Sequence, residues 1–221
     1  MIKAIAFDLD GVLIDSEPLW ERSTWEYVKN KCGTTHRRQF RSRDLDREVR
    51  GRTQRYISTY LKRHLSLPDS PQQIVKDRLQ MLFDLFNKRL TMAPGGLALL
   101  KLLKKSKYPV ILASSSPRRV IDFVMRRFLL KKYFVKIISG DDMKYSKPHP
   151  WVYKQAAKIL HVKPAEMLVI EDSISGVQAG LKSGARVIAM KKPYTPKKYT
   201  KDAIRVIKSL NQLSLEQIQR L

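Results

Sequence analysis

Cysteine and long apolar segments are almost missing from this 221-residue sequence. The single cysteine, Cys32, excludes an internal disulfide framework and a zinc site built from several cysteines. No apolar run approaches the roughly 20 residues that a membrane helix needs. Residues 1–7 lead directly into two aspartates, too early for a secretory signal. We therefore expect a cytoplasmic protein without a membrane partner, and we take it to be a monomer.

Acidic residues are also scarce, since 20 Asp and Glu stand against 44 Lys and Arg, for a formal net charge of +24. A pI near 10.2 is typical of a protein that binds nucleic acid or another polyanion. Lysines on solvated helix faces would give the same composition, and a basic field can also attract phosphorylated substrates over distance. Because 43% of the residues are hydrophobic, the chain can bury a core, and disorder is not expected to dominate.

Short apolar runs rich in branched residues alternate with amphipathic stretches of helical length. The runs are typical of strands buried on both faces of a sheet, and they cover residues 5–7, 110–113, 135–138, 167–170, 187–189 and 203–207. The helical stretches cover residues 97–105, 120–130, 151–160, 174–181 and the end of the chain after Ser214. This alternation predicts a doubly wound, Rossmann-like α/β core with a parallel sheet.

Residues 15–90 interrupt the alternation. Their apolar positions recur at helical spacing, as at Leu79, Leu82, Phe83 and Phe86. We interpret this segment as a small helical cap inserted after the first strand. Residues 1–14 and 91–221 would then form the α/β core.

Polar residues follow several of the predicted strands. In an open parallel sheet, ligands bind outside the carboxyl ends of the strands. There the sequence has two acidic pairs, a serine and a lysine, namely Asp8 and Asp10, Glu171 and Asp172, Ser114, and Lys147. Each feature alone has a purely structural explanation, as a turn aspartate, a helix cap or one solvated lysine among many.

Taken together, these residues suggest a site for a hard cation and a phosphate. Mg²⁺ prefers oxygen ligands and usually takes one or two carboxylates with water and a phosphate oxygen. Asp8 and Asp172 would supply the carboxylates, and Asp10 its backbone carbonyl. Ser114, just before a predicted helix, would form a phosphate cradle with exposed N–H groups. Lys147, in a rigid segment flanked by prolines, would be a fixed cation over the phosphate.

Four ordered segments resemble the motifs of the haloacid dehalogenase (HAD) superfamily. They are residues 8–17 (Asp-Leu-Asp-Gly-Val-Leu-Ile-Asp-Ser-Glu), Ser114, Lys147-Pro148, and residues 171–180 (Glu-Asp-Ser-x-x-Gly-x-x-Ala-Gly). The position of the helical insert is similar to that in the C1-capped branch, which includes β-phosphoglucomutase and sugar-phosphate phosphatases. The resemblance covers residues 3 to about 190. It implies a cap that covers the carboxyl edge of the sheet and excludes water from the reaction.

The resemblance also implies a mechanism. Asp8 would be the nucleophile that forms an aspartyl phosphate, and Asp10 the general acid and then the general base. Mg²⁺ is the implied cofactor, and it would neutralise charge on the transferred group together with Ser114 and Lys147. Glu171 would bind or orient the metal, beside Asp8, Asp10 and Asp172. The candidates for contact with substrate are Ser114, Ser115, Lys147 and two cap residues that would otherwise lie in a solvated turn, Arg50 and Arg52.

Two departures from β-phosphoglucomutase bear on the reaction. Trp20 matches a histidine that assists proton transfer in that family, and Gln54 matches the cap arginine that grips a second phosphate. Arg52 or Arg55 is the alternative candidate for that arginine. We expect Trp20 and Trp25 to pack in the cap core. Residues 15–20 instead resemble the hexose-phosphate phosphatases of the branch. We therefore favour a Mg²⁺-dependent phosphatase of a small phosphorylated metabolite, most readily a sugar phosphate, over a β-phosphoglucomutase. A basic HAD-fold protein that binds nucleic acid is the third alternative, although no motif for such binding is visible.

Overall fold

A computed structural model describes residues 1–33, 49–192 and 200–221. The strands are β1 (Ala4–Phe7), β2 (Val110–Ala113), β3 (Lys136–Ile138), β4 (Met167–Glu171), β5 (Arg186–Met190) and β6 (Arg205–Ile207). They form one parallel sheet in the order β3-β2-β1-β4-β5-β6. Because the order reverses at β1, the fold is a doubly wound α/β fold, and the predicted class is confirmed.

The three central strands are buried at every position, as their uninterrupted apolar sequences predict. The two edge strands are shorter than predicted. The first edge strand is predicted over residues 135–138 but begins at Lys136. Val135, just before it, is 63% exposed. The last strand begins at Arg205 rather than at Ala203.

The described helices are α1 (Glu17–Cys32), α2 (Gln54–His64), α3 (Pro71–Arg89), α4 (Gly96–Lys105), α5 (Arg118–Arg127), α6 (Trp151–Ile159), α7 (Ile174–Ser183) and α8 (Leu215–Gln219). Side-chain caps fix several of their starts. The Ser173 hydroxyl accepts the Gly176 N–H at the start of α7, and the Ser70 hydroxyl accepts the Gln73 N–H before α3. No helix in the described ranges is long and apolar enough to cross a bilayer.

Alternate residues along the strands belong to two apolar clusters, one on each face of the sheet. Ile5 and Phe7 of β1 belong to the larger cluster, with side chains from α3, α4, α5 and α8. Ala4 and Ala6 belong to the smaller cluster, with side chains from α6 and α7. The period of two in a strand therefore divides β1 between the two layers of helices.

Helices α1, α2 and α3 lie where the helical insert is predicted. Tyr27, Ile57 and Ile74, one from each helix, share an apolar cluster of their own. The chain enters and leaves this region at one place, because the Asp15 N–H donates to the Thr91 carbonyl at 3.0 Å. Residues 34–48 of the insert lie outside the described ranges, and its division from the core as a separate domain stays a prediction.

Phe86 connects this helical region to the core, and its truncation should lower stability. The ring is fully buried and lies 6.4 Å from the Trp20 ring and 6.0 Å from the Phe123 ring. We expect Phe86→Ala to lower the free energy of unfolding by about 3–5 kcal/mol, because it opens a cavity between α3 and α5. Urea denaturation measures the change. The exposed neighbour Asn87 provides the control, since Asn87→Ala should change stability by less than about 0.5 kcal/mol. Equal effects of the two substitutions would contradict the assignment.

Candidate active site

The first acidic segment turns sharply at the end of β1. The pairing of β1 with β4 extends one residue further, because the Asp8 N–H donates to the Ile170 carbonyl at 3.1 Å. The chain then turns at Gly11, whose φ is +75°. A Cβ on Gly11 would lie 2.2 Å from Asp172 Oδ2. Glycine is thus required both for the backbone conformation and for the approach of this turn to the Asp172 carboxylate.

Lys147 connects the ends of three strands. Its Nζ donates to Asp8 Oδ1 at 2.6 Å, to Glu171 Oε1 at 2.6 Å and to the Ala113 carbonyl at 3.0 Å. The side chain is fully buried. Burial alone would lower the pKa of Lys147, but the charges of Asp8 and Glu171 outweigh it and hold this pKa well above its usual range. Lys147 therefore keeps its positive charge inside the protein.

Both carboxylate oxygens of Glu171 are occupied by protein donors. Oε1 accepts from Lys147 and, at 2.8 Å, from the Tyr153 hydroxyl. Oε2 accepts from the backbone N–H groups of Asp172 and Ser173 and from the Ser173 hydroxyl, at 3.0–3.1 Å. A Cβ on Gly176 would lie 1.8 Å from Oε1, so only glycine leaves room for the Glu171 carboxylate. Glu171 is consequently held in one orientation.

Asp8, Glu171 and Asp172 form a buried acidic cluster. One carboxylate oxygen from each lies within 4.8 Å of the others. Burial raises the pKa of Asp8 well above its usual range against the opposing charge of Lys147, and Glu171 adds to the increase. Burial and the charges of Glu17 and Glu171 likewise raise the pKa of Asp172. Lys147 contacts Asp8 and Glu171 of these three carboxylates, and the oxygen-only set fits a hard divalent cation.

The Asp10 carboxylate lies outside this cluster. Its Oδ1 accepts from the Ser16 hydroxyl at 2.6 Å and from Trp20 Nε1 at 2.8 Å. Its Oδ2 accepts from the Ser116 hydroxyl at 2.6 Å and from the Ser114 hydroxyl at 3.5 Å. The two aspartates of the first motif therefore have different surroundings: Asp8 joins the acidic cluster, and Asp10 contacts neutral donors.

The serines after β2 make contacts on different sides of the site. Ser114 is fully buried, and its hydroxyl oxygen accepts the Ser116 N–H at 3.0 Å. The Ser115 hydroxyl instead donates to the Gly51 carbonyl at 2.7 Å, so it contacts the helical insert. Of the two predicted serines, Ser114 lies beside Asp10, and Ser115 lies against the insert.

Residues 50–53, which we name the cap loop, lie against the loops at the strand ends. The Arg50 carbonyl accepts from the Ser175 hydroxyl at 2.7 Å, and the Thr53 N–H donates to the Ser146 hydroxyl at 3.1 Å. Arg52 donates from Nη1 to the Lys147 carbonyl at 2.7 Å, and its guanidinium lies 4.5 Å from the centre of the Tyr56 ring. Arg50 forms an ion pair with Glu17 at 2.7 Å. Both arginines are half-buried rather than part of a solvated turn.

The sequence does not predict the roles of several residues in the site. Tyr153 contacts Glu171 and Ser116 contacts Asp10, although neither is among the predicted site residues. The signal for Ser116 is that it directly follows Ser114 and Ser115. Trp20, expected to pack in the insert, does pack there and also donates its indole N–H to Asp10. For Tyr153 the available signal is its place on the buried face of α6, six residues after Lys147. A phenol on an inward face near a buried lysine is a candidate partner for a carboxylate.

The sequence matches a known family and several characterised relatives. A family model for haloacid dehalogenase-like hydrolases matches residues 2–184. The chain is 32% identical over 183 residues to a phosphorylated carbohydrates phosphatase of Thermotoga maritima, covering 83% of this chain and 82% of that protein. It is 31% identical over 192 residues to hexitol phosphatase B of Escherichia coli, covering 87% and 85% of the two.

Solved structures share the fold. The crystal structure of CbbY from Rhodobacter sphaeroides, in complex with phosphate, has a TM-score of 0.85 at 23% identity and covers 99% of this chain and 100% of its own. The β-phosphoglucomutase of Clostridium difficile has a TM-score of 0.81 at 24% identity, with 100% and 96% covered. The prediction of an enzyme of this superfamily is confirmed, and the chain belongs to the haloacid dehalogenase-like hydrolase family.

Proposed function

We propose that the protein is a Mg²⁺-dependent phosphatase that hydrolyses a phosphorylated carbohydrate through an aspartyl phosphate on Asp8. The observation that carries this proposal is the contact of a buried Lys147 with Asp8 and Glu171 beside Asp172. A carboxylate nucleophile, a fixed cation and a cation-binding acidic cluster are the elements that phosphoryl transfer requires.

The reaction divides into two displacements. In the first, an oxygen of Asp8 forms a bond to phosphorus, the ester P–O bond breaks, and Asp10 gives its proton to the departing alkoxide. In the second, Asp10 takes a proton from water as that water attacks phosphorus, and the Asp8–phosphate bond breaks to release inorganic phosphate. Lys147 keeps Asp8 oriented and offsets negative charge near the phosphoryl group.

Asp8 and Asp172 are the carboxylates that would hold Mg²⁺, together with the Asp10 backbone carbonyl. The two oxygens of Glu171 already accept five hydrogen bonds, so we assign Glu171 to orient the site rather than to coordinate directly. When bound, Mg²⁺ supplies charge neutralisation at the transferred phosphoryl group.

We assign substrate contact to Ser114, Ser115, Lys147, Arg50 and Arg52, as the sequence suggests. Residues 15–90 would act as a cap on the core of residues 1–14 and 91–221. The hydrogen bonds of the cap loop to Ser115, Ser146 and Ser175 support a closed arrangement over the strand ends. Such closure would keep water away from the phosphoryl group until the alcohol has left.

The names of the relatives support a carbohydrate phosphate as the substrate class. The environment of Gln54 supports a phosphatase over a mutase, because Gln54 is buried and its Oε1 accepts from Arg78 at 2.9 Å. It replaces the cap arginine that grips the second phosphate in β-phosphoglucomutases. A mutase must hold a bisphosphate through half of its cycle, and we do not assign Gln54 to bind a second phosphate.

Replacement of the nucleophile should abolish hydrolysis. We expect Asp8→Asn to reduce the turnover of sorbitol 6-phosphate and of p-nitrophenyl phosphate by roughly a thousandfold or more, since the amide is a poor nucleophile. Release of inorganic phosphate and of p-nitrophenolate measures the two rates. Asp84→Asn, at an exposed position on α3, should retain full activity. Turnover by the Asp8→Asn variant near the wild-type rate would exclude Asp8 as the nucleophile.

Magnesium should stabilise the folded protein in the absence of any substrate. We expect millimolar Mg²⁺ to raise the melting temperature by several degrees relative to EDTA, because the ion binds only the folded acidic cluster. The increase should diminish as the pH falls, because protonation of Asp8 and Asp172, whose pKa values are raised, competes with binding.

The same melting experiment tests which carboxylates bind the ion. Asp172→Asn should abolish the increase, whereas Asp10→Asn should retain it, because the Asp10 carboxylate lies outside the cluster. An undiminished increase in the Asp172→Asn variant would contradict the assigned ligands.

Glucose 1-phosphate separates the phosphatase from the mutase. With a catalytic amount of glucose 1,6-bisphosphate present, we expect inorganic phosphate as the product, because Gln54 is neutral and the nearby Arg50 and Arg52 already contact Glu17 and the Lys147 carbonyl. A coupled assay with glucose 6-phosphate dehydrogenase detects the alternative. Accumulation of glucose 6-phosphate faster than inorganic phosphate would favour the mutase.

A further inference from the structure

The two oxygens of the Asp10 carboxylate face chemically different donors. Oδ1 contacts Trp20 Nε1 and the Ser16 hydroxyl, at 2.8 and 2.6 Å. Oδ2 contacts the Ser116 hydroxyl at 2.6 Å and lies 3.5 Å from the Ser114 hydroxyl. An indole N–H only donates, whereas a serine hydroxyl can also rotate and accept. Oδ1 therefore accepts from one group that can only donate, the Trp20 N–H, beside the Ser16 hydroxyl, whereas both neighbours of Oδ2 are hydroxyls that can also accept a proton.

The position of the indole is fixed by its own neighbours. The Trp20 ring packs edge-on against Phe86, with 6.4 Å between centroids and 80° between planes. The Arg78 guanidinium lies 6.0 Å from the centre of the Trp20 ring. Arg78 is itself buried and is held by Thr24 and Gln54, so it cannot move away without losing those bonds. The indole N–H is consequently aimed at Asp10 by packing on two sides.

We propose that Trp20 is a positioning residue that directs proton transfer by Asp10 to its Oδ2 oxygen. This inference rests on the proposed function, in which Asp10 protonates the departing alkoxide. Oδ2 is the oxygen on the side of Ser114, the residue assigned to the phosphate cradle. Trp20 and Ser16 hold Oδ1 and thereby set the rotation of the carboxylate about its Cβ–Cγ bond, so that Oδ2 points to the reacting group.

The proton balance follows from this arrangement. In the first displacement the Oδ2–H bond breaks and its proton forms a bond to the departing alkoxide. In the second, a water O–H bond breaks and the proton returns to Oδ2, while the water oxygen bonds to phosphorus and the bond between the Asp8 oxygen and phosphorus breaks. The Trp20 N–H and the hydrogen bonds at Oδ1 persist through both steps. Trp20 therefore neither gains nor loses a proton.

Leaving groups of different basicity test the proposal. An alkoxide needs a proton as it departs, but p-nitrophenolate departs without one. We expect Trp20→Phe to lower kcat for sorbitol 6-phosphate by about tenfold or more, since it removes the N–H and keeps an aromatic ring. In a single turnover with enzyme in excess, the release of p-nitrophenolate reports the first displacement alone, and its rate should stay within about threefold of wild type. Ser16→Ala, which removes the other donor to Oδ1, should give the same selective loss.

A second tryptophan on α1 provides the matched control. Trp25 packs against the cluster of α1, α2 and α3 that contains Tyr27 and Ile57. Trp25→Phe should leave both rates unchanged, which separates the loss of an indole on α1 from the loss of the Asp10 contact. A loss in the single-turnover release of p-nitrophenolate equal to the loss on sorbitol 6-phosphate in Trp20→Phe would overturn the positioning role while leaving the phosphatase intact. A wild-type enzyme inactive on both substrates would instead contradict the proposed function.

A spectroscopic measurement tests the contact without any turnover. In ¹⁵N-labelled protein, the indole N–H resonance of Trp20, assigned by its loss in Trp20→Phe, should lie downfield of the Trp25 and Trp151 resonances, because it donates to a carboxylate. Asp10→Asn should move this resonance upfield and leave the other two in place. An unchanged Trp20 resonance in that variant would show that the indole does not hold Asp10, even if Trp20→Phe were too unstable for kinetics.

Discussion

The structure depends on one buried ammonium group. An isolated lysine inside a protein is strongly unfavourable, because no water remains to solvate its charge. Lys147 is stable there because Asp8, Glu171 and the Ala113 carbonyl surround its Nζ within 3.0 Å. These partners come from the ends of β1, β2 and β4. The charge of Lys147 therefore requires three neighbouring strands to end together, and it fixes the nucleophile candidate at the point where they meet.

The acidic cluster is rich in negative charge. Asp8, Glu171 and Asp172 lie together in one buried cluster, and the raised pKa values of Asp8 and Asp172 reflect first their burial and then the repulsion between the carboxylates. Both oxygens of Glu171 are compensated by neutral donors and Lys147. A divalent cation would neutralise the negative charge of Asp8 and Asp172. The folded protein therefore has an unfavourable electrostatic energy at this edge of the sheet, and binding of the cation would lower it.

The helical insert completes the surroundings of Asp10 and Lys147. Ser16 and Trp20 contact the Asp10 carboxylate, and Arg52 contacts the Lys147 carbonyl. The insert is thus part of the site and not only a cover for it. The insert contacts Asp10 through the neutral donors Ser16 and Trp20, and it contacts the Lys147 carbonyl through the cation of Arg52. Asp10 and Asp8 therefore have different surroundings although they are only two residues apart.

The amino-acid sequence alone predicts the strands of the sheet and the acidic residues at its edge, because an uninterrupted apolar run that ends in acids, as in residues 167–172, is a local property. It also predicts the family, through four motifs in order. Which donor contacts which carboxylate is visible in the folded protein alone. Tyr153, Ser116 and the Trp20 indole lie 18, 106 and 10 residues from their acceptors. Such contacts depend on how helices pack over the strand ends, and no local pattern encodes the distance between residues so far apart in the chain.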